Sequence, residues 1–206
     1  MTLFAILAYL ATGVISGLLA GLLGVGGGVV IVPALILLFA HLGFAPDLIA
    51  HLAVGTSLAT IIGTGLTSAL AHNRRGGVRW EIFRRLAPGI VLGAWVGAAI
   101  AGFLPQIWLQ RVFGVFLLIV GTRMLWSRPA NPASQASVPG DLALAAAGGG
   151  IGALSAIVGI GGGSLTVPYL TRVGLSMRQA VGTSSACGLP IALAGTLGFM
   201  VIGWGK

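Results

Sequence analysis

The chain has 206 residues, 57% of them hydrophobic and 7% charged, with a mean hydropathy of +1.06. Soluble domains carry about 25% charged residues, so a water-facing surface cannot be built from this composition, and the chain reads as an all-α integral membrane protein. The net charge of +8 does not indicate nucleic acid, because five of the eleven basic residues fall between Arg74 and Arg85 and the others flank oily segments, which marks cytoplasmic loops rather than a binding face.

The N-terminus, MTLFAILAYLATG, lacks the basic start and cleavage site of a removable signal peptide and reads as a retained first helix. Oily segments run at about 3–40, 48–71, 86–104, 107–126, 141–171 and 179–204. One span needs roughly 20 residues. Four of the segments fit single spans. The first and the fifth are too long, and each holds a run of three glycines, Gly26–Gly28 and Gly161–Gly163. Between 127 and 140, SRPANPASQASVPG is a polar, Pro/Ser-rich linker that divides the chain into 1–126 and 141–206. Cys187 is the single cysteine, so no internal disulfide forms, and it is expected to pack as a small apolar residue.

Two motifs recur in order. GVGGGVVIVPAL at 24–35 matches GIGGGSLTVPYL at 159–170, an offset of 135, and AVGTS at 53–57 returns unchanged at 180–184, an offset of 127. Low-complexity coincidence does not preserve order and an identical pentapeptide, so the chain reads as two homologous helical repeats. The first continues after AVGTS through a basic loop and two further spans. The second stops just past the helix that carries AVGTS and is incomplete by two spans. Either the protein is naturally short or the chain is a fragment, and a homodimer or a further C-terminal segment would supply the rest.

Orientation follows from the arginines. Arg74, Arg75, Arg79, Arg84 and Arg85 place their loop in the cytoplasm, and two spans out and back bring Arg123, Arg128 and the linker to the same side. The turn at 172–178 carries Arg172 and Arg178, whereas its counterpart at 41–47 carries only Asp47 and falls outside. Corresponding turns on opposite sides mean inverted repeats, an arrangement common in transporters. Gly163 to Thr171 is too short to cross ~30 Å at about 1.5 Å per residue. Segment 141–171 is therefore expected to re-enter and return, with the glycines at its tip. If each long segment instead crosses once, the repeats are parallel.

The glycines do not form a nucleotide loop. GVGGGV lacks the third glycine and the later acidic residue of a dinucleotide fingerprint, and no Lys-Ser/Thr pair follows as in a Walker loop. In lipid, unpaired backbone costs several kcal/mol per group and survives only where protein covers it or a polar cavity faces it. A half-helix that starts at such a break offers free N–H groups and a positive dipole end, which favour an anion. The triplets are therefore read as substrate-lining breaks, with packing alone as the alternative. Packing is the reading for Gly13, Gly17 and Gly21 and for Gly89, Gly93 and Gly97, which recur every four residues. The hydroxyls of AVGTS either bond back to the preceding helical turn or donate to a polar substrate, and their recurrence one loop after each glycine run favours donation. Asp47, Glu81 and Asp141 fall at predicted boundaries, and His51, near the start of a span, is the candidate for a coupling role.

GVGGGxxxVPxL followed by AVGTS, in both halves, resembles the sulfite exporter TauE/SafE family of membrane permeases over nearly the whole chain. The resemblance implies a multi-pass protein of the cell membrane, the bacterial inner membrane, that carries small anions. Sulfite and organosulfonates are the substrate class it implies, with no cofactor and no metal. Carried over by position, the substrate region is Gly26, Gly27, Gly28 and Pro33 with Gly55, Thr56 and Ser57. In the second half it is Gly161, Gly162, Gly163, the adjoining Ser164 and Pro168, with Gly182, Thr183 and Ser184. An anion leaving a negative-inside cell needs no co-ion.

Three other functions compete. A membrane-embedded enzyme would need parts the chain lacks, since there is no HExxH, no telling Ser/His or Cys/His pair, and only three acids. A metal permease would want clustered carboxylates, thiols or histidines. A structural or accessory membrane subunit is favoured only by the short second half.

Overall fold

The structure, a computed structural model, describes residues 3–23, 27–126 and 139–203, so Gly26 and nearly all of the expected linker lie outside it. The described residues form eight helices and no strands: α1 (Leu3–Leu23), α2 (Gly28–His41), α3 (Ile49–Arg74), α4 (Trp80–Phe103), α5 (Gln106–Trp126), α6 (Asp141–Val158), α7 (Gly163–Arg172) and α8 (Met177–Gly203). Helices follow from the composition, because only intrasegment hydrogen bonds satisfy a backbone in lipid without a closed barrel. By length and composition α3, α4, α6 and α8 can cross a bilayer. The fourth oily segment, read as a span, becomes α5, which has 21 residues. Apolar side chains exposed on the bundle, among them Leu92, Val96, Phe103, Leu118 and Val201, face outward as lipid contacts do.

The centre is the pair α3 and α8, which run antiparallel. Leu58 meets Gly195, Leu189 meets Gly65, and Ser68 Oγ donates to Ser185 Oγ at 3.1 Å. At the arginine end, Arg178 donates to the Arg75 carbonyl, and Gly182 lies directly on the backbone of Gly77. The other end gathers Asp47, His51, Gln106 and Gly203 around one cavity.

Helix α4 runs parallel to α6 and touches it along its length. A Cβ at Gly89, Gly93 or Gly97 would fall on the backbone of Ala145, Gly149 or Ala153, and one at Gly148 or Gly152 on the carbonyls of Leu86 or Ile90. Small residues thus let two backbones approach, as expected for α4. On α1 the expectation fails. A Cβ at Gly13 or Gly17 meets nothing within 4 Å, because these glycines face a cavity instead of a helix. The surroundings of Gly21 are outside the described residues.

The second glycine run breaks the chain between α6 and α7. Gly159 (φ 77°) and Gly162 (φ 79°) hold left-handed backbone, which glycine adopts without a Cβ penalty, and Gly159 closes α6 through the bond from Ile160 N to Ser155 O at 2.9 Å. Both arms open on the arginine end. Asp141 at the start of α6 pairs with Arg85 at 3.2 Å, and α7 leads through a short turn to Arg178. Helix α7 has 10 residues, about 15 Å, so α6 and α7 form a hairpin whose tip stops inside the bundle. Gly161 at this tip touches Ile61, midway along α3, and lies against Gly188, midway along α8. The first run falls where α1 ends at Leu23 and α2 begins at Gly28. Gly28 presses on the carbonyl of Gly159, so the two glycine regions meet at mid-bundle.

Candidate functional site

Where the glycine regions meet there is a cavity of about 560 Å³. Its walls include Gly27 before α2, Gly161 and Gly163 at the start of α7, Thr56 on α3 and Ser184 on α8. Neither α2 nor α7 has a side-chain cap at its N-terminus, and the first N–H groups of a helix have no intrahelical acceptor. Two positive helix ends therefore border one space. Among the described residues no Lys, Arg, Asp or Glu lines it, and the titratable liners are Tyr9 and His72.

The hydroxyls sort by partner. Ser184 borders the cavity; its Oγ is buried, with relative exposure of 2%, and makes no hydrogen bond. Below it on α3 stand Thr60, Thr64, Ser68 and His72, also on the wall. Thr60 and Thr64 donate back to the carbonyls of Ser57 and Thr60, at 2.7 and 3.2 Å. Those carbonyls already take part in the helix, so a ligand can take over the hydroxyl's hydrogen bond at little cost. This stripe was not singled out from the sequence. Its signal was the spacing of four from Thr56 through Thr60, Thr64 and Ser68 to His72, one face of a helix.

Several of the expected site residues have other places. Ser57 Oγ donates to the Gly159 carbonyl at 2.8 Å, fully buried. Thr183 Oγ1 accepts the N–H of Arg79 at 3.0 Å; with Gly182 it docks the arginine loop onto α8. Gly28 provides the close approach to Gly159, and Gly162 is buried against Ile191 and Thr166. Pro33 and Pro168 lie half-buried inside α2 and α7, and Ser164 is half-buried in the first turn of α7. None of these lines the mid-bundle cavity.

A second cavity, of about 980 Å³, occupies the opposite end of the bundle and is lined by Asp47, His51, Gly55, Thr56, Gln106 and Phe199 among others. His51 Nε2 is 3.0 Å from the carbonyl oxygen of Ala101. A carbonyl only accepts, so Nε2 is the donor in this contact. Nδ1 is buried with no partner.

The profile of the sulfite exporter TauE/SafE family matches residues 9–205. The chain is 37% identical over 201 residues to a "Probable membrane transporter protein" of Haemophilus influenzae, a match that spans 98% of this chain and 76% of that one. It is 30% identical to the "Probable membrane transporter protein YunE" of Bacillus subtilis over 97% of this chain and 79% of the relative. A "Probable membrane transporter protein" of Xylella fastidiosa is 29% identical over 97% and 74%. No solved structure matches. A family match over almost the entire length, on an all-helical chain with several helices fit to cross a bilayer, identifies it as a multi-pass membrane protein that belongs to the sulfite exporter TauE/SafE family of membrane transporters.

Proposed function

We propose that the chain is a permease for small anions that exports sulfite or organosulfonates across the cytoplasmic membrane, the inner membrane of a bacterium. The observation that carries the reading is the mid-bundle cavity, which no charged side chain lines among the described residues, and which is bordered by the starts of α2 and α7, neither with a side-chain cap, and by Ser184, whose hydroxyl has no partner. Partial positive charge attracts an oxyanion, and the lack of a fixed cation lets it leave again; a buried arginine would be costly and would hold it. The narrowed substrate set is Gly27, Gly161, Gly163, Thr56 and Ser184.

The two halves, 1–126 and 141–206, are read as inverted repeats. The antiparallel run of α3 against α8, the helices that carry the two AVGTS copies, supports this. Gly13 and Gly17 match Gly148 and Gly152 at the offset of 135. The latter pair seats α4, whereas the former pair is open. A second copy or a further segment that brings a helix there would complete the pseudo-symmetry and close the mid-bundle cavity on its α1 side.

A monovalent anion leaving a compartment held ~100 mV negative gains about 2.3 kcal/mol, enough to drive export. A proton-linked step would run through His51, whose Nδ1 has no hydrogen-bond partner and whose cavity also holds Asp47. Flux in proteoliposomes with sulfite, sulfoacetate, thiosulfate and sulfate tests the reading. At least one of these anions must move faster than in protein-free vesicles; folded protein that carries none of them contradicts it.

A further inference from the structure

We propose that Thr56 is the partition between two half-pathways, through which the anion passes from the mid-bundle cavity to the cavity at the Asp47 end. The proposal rests on the permease reading. Its starting observation is that the two cavities share Thr56, and that α3 walls both of them in succession. The larger one follows α3 from Leu48 to Ala59, and the mid-bundle one follows it from Thr56 to His72. Together they accompany nearly the full length of a helix long enough to span a bilayer.

The chemistry at the shared wall suits a handover. The Thr56 side chain is exposed to the cavities, and it lies in an AVGTS motif whose next residue is pinned. Ser57 is tied to the carbonyl of Gly159, and Gly159 in turn lies against Val54 and Val32. The tip of the α6–α7 hairpin is thus fastened to α3 within one residue of Thr56. A shift of that tip therefore moves the partition, which is how one side can open while the other closes. A hydroxyl at this point donates to an oxyanion on either side without adding a charge that would trap it, while the Cγ2 methyl narrows the passage.

The polar groups differ on the two sides. The mid-bundle cavity leads down the stripe of Thr60, Thr64 and Ser68 to His72, next to Arg74 and Arg75. The other cavity holds Asp47, His51, Gln106 and Thr196. The anion would thus pass from neutral donors that end at His72, shortly before two arginines in the chain, to a cavity that holds a carboxylate.

Two measurements test the proposal. The first uses labelling and does not depend on the transported anion. In a Cys187→Ala background, Leu52→Cys and Thr64→Cys are treated with a membrane-impermeant thiol reagent from each side. Leu52→Cys is expected to react only from the Asp47 side and Thr64→Cys only from the arginine side; reaction of both from one side overturns the partition. The second is flux. Thr56→Ser, which keeps the donor, is expected to lose less flux than Thr56→Val. Thr56→Val, which keeps the shape and removes the donor, should lose about tenfold, which corresponds to ~1.4 kcal/mol, the low end for a hydrogen bond to a charged group. Thr56→Trp should abolish flux. Wild-type flux in Thr56→Val overturns the handover. Wild-type protein that carries no anion sinks the permease reading itself, and the labelling result still decides whether the two cavities are separate.

Discussion

Ser57 on α3 donates its hydroxyl to the carbonyl of Gly159 at the tip of the α6–α7 hairpin, 2.8 Å away and fully buried. The bond joins the AVGTS motif of one half to the glycine run of the other. It also satisfies a carbonyl where the helix ladder has ended, which lipid cannot do. Ser57→Ala leaves that carbonyl short of a partner. Side-chain bonds inside membranes average only about 0.6 kcal/mol, up to about 1.7, and burial of the orphaned carbonyl places this case at the upper end. A loss of ~1–2 kcal/mol is expected, read as a lowered unfolding temperature in detergent; an unchanged temperature would show that the tip is held by packing alone.

Ser184 holds the same motif position in the other half and has no partner. Ser184→Ala removes a donor that stabilises nothing in the empty protein. The unfolding temperature is expected to stay within the error of wild type, while anion affinity falls about tenfold, in keeping with one charge-assisted bond of roughly 1.5 kcal/mol or more. Isothermal titration or flux against concentration, run beside thermal unfolding, separates the two serines. A drop in stability with unchanged affinity would reverse their assignment.

The α4–α6 contact and the open face of α1 make a second contrasting pair. Gly93→Ala places a methyl on the Gly149 carbonyl, whereas Gly13→Ala meets nothing within 4 Å. Backbone cannot give way as a side chain can, so Gly93→Ala is expected to cost at least ~2 kcal/mol, as overpacking does, and to lower the yield of folded protein. Gly13→Ala should match wild type in size-exclusion profile and unfolding temperature. Equal behaviour of the two variants would contradict the close approach of α4 and α6.

These pairs show what was legible in the sequence. The all-helical architecture, the interruption at Gly161–Gly163 and its hairpin geometry follow from hydropathy, glycine and segment length, all local quantities. The surroundings of a glycine are not local. Gly13 and Gly17 share their spacing with Gly89 and Gly93 but lack a facing helix. The two AVGTS serines are likewise indistinguishable as letters. One meets Gly159 and the other does not, because that depends on which backbone the bundle brings opposite. The stripe from Thr56 to His72 was legible in its spacing, but threonines in oily helices so often bond to their own backbone that only the shared cavity wall sets them apart.

The proposed pathway ends near different charges. Arg74 and Arg75 follow His72 at the end of α3, and Asp47 stands at the other cavity. Anions concentrate near cationic mouths, and salt screens the effect over about 10 Å at 0.1 M. The KM for anion presented from the arginine side is expected to rise severalfold in Arg74→Gln/Arg75→Gln, and the difference should shrink at 0.5 M salt. Flux assayed with each face presented in turn checks this; a KM that does not respond to the arginines or to salt would remove them from the entry path.

The central claim is that an anion sits where the starts of α2 and α7 face each other. It is tested most directly by locating a bromine-labelled organosulfonate, such as 2-bromoethanesulfonate, in the protein by its anomalous scattering. The account predicts one signal in the mid-bundle cavity, with the sulfonate within hydrogen-bond reach of Ser184 Oγ and the Gly163 N–H, and loss of that signal in Ser184→Ala. A signal confined to the arginine loop, or none in crystals that hold folded protein at saturating ligand, would contradict it.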